Sequence, residues 1–212
     1  MNNVTHGMRC RKTPWAWVAL SLAIARSPAG AETGTDSMHE HNDQNGAPPS
    51  AAELIEALGL EGHVEGGYFR RTFQADHRDR IETDAGTRFT MTSIFYLLTA
   101  DSPVGHWHRN RSDIVHYFHL GGPVEYHVIH PDGRHETVVL GPDPRLGHRL
   151  QLTVRGGAWK MSRLTGGADY ALISEAVAPG FDYEDMTLGS EAALLEAYPE
   201  HREVIVGFTR EP

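Results

Sequence analysis

The chain has 212 residues, of which 40% are hydrophobic and 22% charged, a balance typical of one globular domain. Its single cysteine excludes a disulfide scaffold. The formal net charge of -9 argues against nucleic acid as a partner, because binding phosphates requires clustered Lys and Arg. The 14 histidines stand out, since histidine titrates near neutral pH and is a common metal ligand.

The first 31 residues follow the order of a secretory signal peptide. Basic residues at 9–12 precede an apolar run at 15–25, and Ala-Gly-Ala at 29–31 matches the cleavage pattern. The apolar run is too short to span a bilayer, so we expect no stable membrane span. Cleavage predicts an exported protein, periplasmic or secreted, and an uncleaved chain would be cytoplasmic. Residues 32–49 are polar and predict a disordered tether.

The folded part is predicted as one domain over residues 50–212, beginning with a short helix. Ser50 and Glu53 form a capping box, and Gly59 ends the helix. Short segments rich in Val, Ile, Thr and aromatic residues follow, separated by Gly and Pro turns, and they predict a β-sandwich or barrel. These segments are 68–75, 91–99, 115–120, 124–130, 136–140, 150–154, 158–164 and 170–178. A second helix is predicted at 190–198, ended by Pro199.

A cluster of histidines between two of these strands is the first candidate site. His106 and His108 share one face of an extended strand, and Asp113 follows a short turn later. Two imidazoles and a carboxylate can bind a transition metal. The His-x-His-x4-Asp spacing is close to the first metal motif of the cupin superfamily.

Six motifs in a fixed order strengthen this resemblance. They are HVEGGYFR at 63–70, SIFYLL at 93–98, HWHR at 106–109, HPDG at 130–133, GAW at 157–159 and VAPGFD at 177–182. Over residues 50–189 the chain resembles the cupin branch catalogued as a domain of unknown function. The resemblance implies a mainly β fold, the double-stranded β-helix or jelly-roll barrel, with a short helix at each end, a site inside the barrel and a homodimer.

The resemblance also bears on the metal. The second cupin metal motif has a histidine about two residues after a glycine, whereas here Gly157 is followed by Ala158, Trp159 and Lys160. Two interpretations of His106 and His108 remain. Either both point inward and hold Fe, Mn, Ni or Zn with Asp113 or a water, or His108 lines the pocket and His106 lies near the rim.

The catalytic candidates are His108, His116 and Glu65. Strand alternation places His116 on one face with Ile114 and Phe118, and the resemblance favours that face as the inner one. Two imidazoles in an apolar barrel suit proton transfer, or they form a buried pair that only fixes register. Glu65, before Gly66-Gly67, can act as base, orient a histidine or cap the turn.

A second set of residues is predicted to contact a ligand. Tyr68 and Arg70 share a strand face and offer a hydrogen-bond donor and a cation, Gln151 and Lys160 offer polar groups, and Trp159 offers a flat apolar wall. We expect a small-molecule-binding cupin, isomerase- or epimerase-like, acting on a polar or carbohydrate-like substrate. Such proton transfer requires no cofactor. The alternatives are a binding protein without turnover and a metal-dependent oxygenase with a single divalent transition metal.

Overall fold

The computed structural model describes residues 47–209. The predicted signal peptide and residues 32–46 of the predicted tether lie outside this part of the chain. Helix α1 spans Ala51–Leu58 and begins with the predicted capping box, in which the Ser50 hydroxyl accepts from the Glu53 N–H and the Glu53 carboxylate accepts from the Ser50 N–H. Gly59 ends the helix in the left-handed conformation, with φ at 60°.

Thirteen strands follow in the described residues. They are β1 Glu61–Gly62, β2 Tyr68–Gln74, β3 Ile81–Thr83, β4 Gly86–Arg88, β5 Thr92–Thr99, β6 Val104–Asn110, β7 Asp113–Gly121, β8 Val124–Ile129, β9 His135–Leu140, β10 Gln151–Val154, β11 Trp159–Leu164, β12 Tyr170–Ala178 and β13 Met186–Leu188. Helices α2 Glu191–Ala197 and α3 Arg202–Ile205 come last. All eight predicted strands are present with ends within two residues, so that prediction is confirmed.

Two antiparallel sheets form the barrel. The larger has the order β1-β2-β5-β12-β7-β10, the smaller has the order β13-β6-β11-β8-β9, and β3 and β4 form a separate hairpin. Side chains from both sheets meet in one buried core, for example Tyr96 and Ile173 of the larger sheet and Tyr126 and Val128 of the smaller. The predicted mainly β jelly-roll fold is confirmed.

Helices cover the outer face of each sheet. Leu54 of α1 packs with Leu97 and Leu172 on the larger sheet. Leu194 of α2 and Ile205 of α3 pack with Trp107 on the smaller one. None of the helices in residues 47–209 combines the length and apolar character needed to span a bilayer.

A bulge in β6 controls where the histidines of this strand lie. His108 is opposite Lys160 of β11, but Gly105, three residues earlier, is opposite Ser162, only two residues later. The extra residue in β6 lets both Gly105 and His108 face the barrel interior. A Cβ on Gly105 would lie 2.7 Å from the Tyr96 hydroxyl, which explains the glycine.

Candidate functional site

The barrel contains a cavity of about 390 Å³, near the lower end of the usual size for small-molecule sites. One part of its wall is apolar and another carries polar side chains, while four residues at the solvent side form the rim. The apolar residues are Phe69, Ile94, Ile114, Val177 and Phe181, the polar ones are His63, Glu65, Thr92, Asn110 and Glu175, and the rim residues are Glu61, Arg71, Asp182 and Tyr183.

The loop between β1 and β2 presents Glu65 to this cavity. Gly66 has a φ of 99°, and a Cβ there would overlap the Val104 carbonyl oxygen. Glycine at this position therefore lets the loop lie directly on β6. Two hydrogen bonds fix it, from the His106 N–H to the Glu65 carbonyl at 2.7 Å and from the Tyr96 hydroxyl to the Gly66 carbonyl at 2.8 Å.

Glu65 and His108 form a close buried pair. Glu65 Oε2 lies 3.2 Å from His108 Nε2, and both side chains are more than nine-tenths buried. The His108 Nδ1–H donates to the His106 carbonyl oxygen at 2.7 Å, so in the neutral ring Nε2 carries the lone pair. His108 Nε2 is buried and forms no regular hydrogen bond within the described residues, and the Glu65 carboxyl lies near its lone pair.

Burial sets the protonation state of this pair. Removal from water raises the pKa of Glu65 to about 8, and the opposing effect of the Lys160 charge is smaller. Burial and the same Lys160 charge hold the pKa of His108 well below its usual value. At neutral pH the pair is therefore a protonated carboxyl facing a neutral imidazole.

His63 lies on the other side of Glu65. Its Nδ1 accepts a hydrogen bond from the Glu65 backbone N–H at 3.3 Å. Burial lowers the pKa of His63 to about 4. The ring is thus neutral at pH 7, and its proton is on Nε2, which makes His63 a hydrogen-bond donor at the cavity wall.

Glu175 is the second carboxyl group on the cavity wall, and its environment is the opposite of that of Glu65. Glu175 Oε1 lies 3.1 Å from His116 Nδ1 and 3.7 Å from Lys160 Nζ. Burial alone would raise the pKa of Glu175, but the Lys160 charge and the contact with His116 together outweigh burial and hold the pKa below its usual value. One cavity thus contains a protonated carboxyl and an ionised one.

Comparison with known proteins agrees with this architecture. The family described as "Cupin superfamily (DUF985)" matches residues 52–189. This chain belongs to the cupin superfamily. It is 38% identical over 152 residues to the uncharacterized protein YML079W of Saccharomyces cerevisiae, covering 66% of this chain and 75% of the yeast protein.

Two solved structures are similar to this cupin along their whole length. A hypothetical protein from Leishmania major has 35% identity and a TM-score of 0.72, with 77% of this chain and 100% of that chain covered. Protein SO0799 from Shewanella oneidensis has 33% identity and a TM-score of 0.70, with 78% and 100% covered. The predicted membership of the cupin branch is confirmed.

The three metal candidates of this cupin do not converge. Because of the bulge in β6, His106 turns away from His108, and its Nδ1 donates to the Phe208 carbonyl at 3.2 Å. Asp113 binds the Arg155 guanidinium at 2.6 Å and the Gly156 N–H at 2.8 Å. Across residues 47–209, no three or more His, Cys, Asp or Glu side chains are arranged to hold a metal ion. The predicted shared face of His106 and His108 is therefore wrong. The alternative holds only in that His108 faces the barrel interior, because His108 does not line the cavity and His106 contacts Phe208 of the outer cluster.

The predicted ligand contacts are mostly on the outside of the barrel. The Tyr68 hydroxyl donates to Asp101, and Arg70 donates to the Leu58 carbonyl. Gln151 is exposed, and Trp159 packs in the outer cluster below α2 and α3. These four placements are wrong because alternation on β2, β10 and β11 turns the neighbouring residues inward instead.

Lys160, the fifth predicted contact, is the inward neighbour on β11. It is buried, but it binds Glu175 and does not line the cavity. His108 and His116 likewise do not line the cavity, although each is in contact with a carboxyl group that does, Glu65 and Glu175 respectively. Of the predicted catalytic residues, Glu65 alone lines the cavity.

Glu175, His63 and Asn110 are site residues that the sequence does not predict. Glu175 had a detectable signal, since it is the one charged residue in the buried strand Tyr170–Ala178. His63 is in a quoted motif but carried no predicted role. Asn110 follows the bulge, so its inward direction depends on a register shift that the sequence pattern does not show.

Proposed function

We propose that this cupin binds a small organic molecule in the barrel cavity and moves a proton on a carbon atom next to a carbonyl group, as an isomerase or epimerase does. The single observation that carries the proposal is the buried Glu65 carboxyl on the cavity wall, 3.2 Å from His108 Nε2. The proposal assigns proton transfer to Glu65 and makes His108 a positioning residue.

Glu65 can serve as both base and acid in one cycle. A general acid–base group acts best when its pKa lies near the working pH, and the pKa of Glu65 is about 8. The carboxylate removes the proton from carbon, the C–H bond electrons move into the enolate, and the resulting carboxylic acid returns the proton to another position. His108 Nε2 accepts a hydrogen bond from the acid form, which favours that form between the two steps.

Glu175, the second carboxyl group on the cavity wall, orients the ligand and does not transfer a proton. Glu175 stays ionised because Lys160 and His116 stabilise its charge, so it is a weak base. It accepts hydrogen bonds from the bound molecule and fixes its orientation. Environments that separate the pKa values of two neighbouring carboxyl groups are typical of sites in which the groups have different roles.

Deuterium exchange tests the proposal without knowledge of the natural substrate. The protein is incubated in D2O with a panel of ketones, hydroxy ketones, aldoses and keto acids, and NMR follows deuterium uptake next to the carbonyl. We expect catalysed exchange with some members, and a loss of at least about 100-fold in Glu65→Gln. Glu196→Gln, the same substitution on the exposed face of α2 away from the cavity, is the matched control and should retain the wild-type rate.

Two results would contradict the proposal. One is an unchanged exchange rate in Glu65→Gln. The other is a wild-type protein whose melting temperature rises with panel members while no exchange occurs, which would favour a binding protein without turnover. His108→Asn separates positioning from folding, because the apparent pKa of the rate profile should fall when the acceptor for the Glu65 proton is removed.

A further inference from the structure

We propose that the cavity selects uncharged α-hydroxy carbonyl compounds, with the carbonyl oxygen bound by His63 and the hydroxyl bound by Glu175 and Asn110. This inference rests on the proposed function and narrows its substrate class. It follows from two hydrogen-bond acceptors on the inner wall, the position of the His63 donor and the pairing of the buried Lys160 with Glu175.

Two hydrogen-bond acceptors on the inner wall favour a ligand that carries a donor. Glu175 is ionised and can only accept hydrogen bonds. Asn110 is 6% exposed and lines the cavity, yet its Oδ1 has no hydrogen-bond partner within the described residues. A buried acceptor without a partner costs free energy, so a ligand that brings a donor there is favoured. A hydroxyl group between Glu175 and Asn110 supplies it.

His63 supplies the complementary donor. Its Nδ1 accepts from the Glu65 backbone N–H, which leaves the Nε2–H to donate. Because His63 and Glu65 are adjacent on the cavity wall, a carbonyl oxygen held by His63 brings the neighbouring carbon close to the Glu65 carboxyl. A neutral N–H donor stabilises the negative charge that develops on this oxygen when the carbon loses its proton.

The charges of the cavity disfavour an anionic ligand. Lys160 is buried but already faces the Glu175 carboxylate. In the described part of the chain, Arg71 is the one Lys or Arg residue that lines the cavity, and its exposed side chain donates to Gln74 at the rim. A carboxylate or phosphate placed deep in the cavity would meet the ionised Glu175 without a free counter-charge.

One part of the cavity wall is formed by apolar side chains. Phe69, Ile94, Ile114 and Val177 leave room for an apolar substituent on the carbonyl compound. The inferred ligand therefore has two polar groups on neighbouring carbons at one end and an apolar body at the other. Apolar walls with a few placed polar groups are typical of selective small-molecule sites.

Two matched series test the inference by calorimetry and thermal shift. The aliphatic series is hydroxyacetone, acetone and pyruvate. The aromatic series is α-hydroxyacetophenone (hydroxyl on the carbon next to the carbonyl), acetophenone and phenylglyoxylate. In each series we expect the hydroxy ketone to bind at least about tenfold more tightly than the simple ketone, because it satisfies the buried acceptors, and more tightly than the keto acid. The aromatic series should bind more tightly than the aliphatic one.

Variants assign this selectivity to the named residues. Asn110→Leu removes the acceptor with little change in volume and should reduce the preference for the hydroxyl group. Glu175→Gln should weaken the discrimination against the keto acids, and Glu196→Gln, the same substitution on the exposed face of α2 away from the cavity, should leave it unchanged. Ile114→Trp fills the cavity and should abolish binding of all six compounds.

The outcomes separate the inference from the proposed function. Equal or tighter binding of pyruvate and phenylglyoxylate would overturn the inference, while deuterium exchange dependent on Glu65 would leave the proposed function standing. Binding that persists in Ile114→Trp would place the compounds outside the cavity and would also overturn it. If none of the six compounds binds in the millimolar range and no exchange is seen, both fail.

Discussion

Lys160 of β11 and Glu175 of β12 form an ion pair of 3.7 Å that joins the two sheets across the barrel interior. Both side chains are at least nine-tenths buried, so each charge depends on the other for compensation. The pair keeps Glu175 ionised at the cavity wall, and it does so with a cation that the ligand does not reach. The environment of Glu65, in contrast, favours the uncharged acid.

Lys160→Met tests this pair. We expect a loss of about 3–5 kcal/mol in the free energy of unfolding, because the Glu175 carboxylate would be buried without its counter-charge. Urea denaturation measures the change. The double variant Lys160→Met/Glu175→Leu should recover most of the loss, and Arg145→Met, which breaks the exposed pair with Asp143, should have a negligible effect. A Lys160→Met protein as stable as wild type would contradict the structural role of the pair.

Stability should depend on pH through Glu65. Its folded pKa of about 8 lies above the ordinary value of 4.5, so the folded state retains a proton that the unfolded chain has released. The stabilisation from this proton is fully present below pH 4.5 and is lost as pH rises to 8. The unfolding free energy of wild type relative to Glu65→Gln should therefore fall by several kcal/mol over this range. Each pH unit that separates the folded from the unfolded pKa contributes about 1.4 kcal/mol.

Denaturation curves at several pH values measure this difference. Above pH 8 both states have released the proton, and the difference between wild type and Glu65→Gln should become constant. A difference that does not change between pH 4.5 and 8 would mean that the folded protein holds Glu65 as a carboxylate, contrary to its buried position.

His63 should titrate in the opposite sense. Its folded pKa of about 4 lies below the ordinary value of 6.5, so the unfolded chain binds a proton that the folded protein does not. The contribution of the neutral ring to stability is present above pH 6.5 and is lost as pH falls toward 4. Nitrogen-15 NMR of the ring should show a neutral Nε2–H imidazole at pH 6, and a doubly protonated ring at that pH would rule out the donor role assigned to it.

Gly66→Ala tests how the loop presents Glu65. The left-handed backbone alone costs about 1–3 kcal/mol with a side chain, and the overlap with the Val104 carbonyl adds to this cost. We expect a clear loss of stability together with a loss of deuterium exchange, because the loop must move. Gly133→Ala is the matched control, since Gly133 also has a positive φ, 84°, but the nearest atom to an added Cβ is 3.7 Å away. Equal losses in the two variants would show that close packing on β6 is unimportant.

Much of the fold could be predicted from the sequence, because strand segments, turn glycines and helix caps are local features. Ser50 and Glu53 form the capping box, and Ile114 and His116 are both buried on one face of β7, as alternation indicates. Less of the candidate site could be predicted from the sequence. Alternation does not say which face of a strand is inside, and Tyr68 and Arg70 were therefore assigned to the wrong side of β2.

The remaining errors came from long-range features. The bulge that separates His106 from His108 depends on the pairing of β6 with β11, which the local pattern does not contain. The partnership of Lys160 and Glu175 links strands of different sheets, so neither residue indicates it alone. Export and a homodimer stay predictions.

Infrared spectroscopy of Glu65 gives the most direct test of the account. The difference spectrum between wild type and Glu65→Gln isolates the C=O band of this one carboxyl, and it can be followed from pH 5 to pH 9. We predict a protonated carboxyl band at neutral pH that disappears with a pKa of about 8. A carboxylate band already present at pH 6 would contradict the account, because it would show that burial does not raise the pKa of Glu65 toward the working pH, on which its double role as base and acid depends.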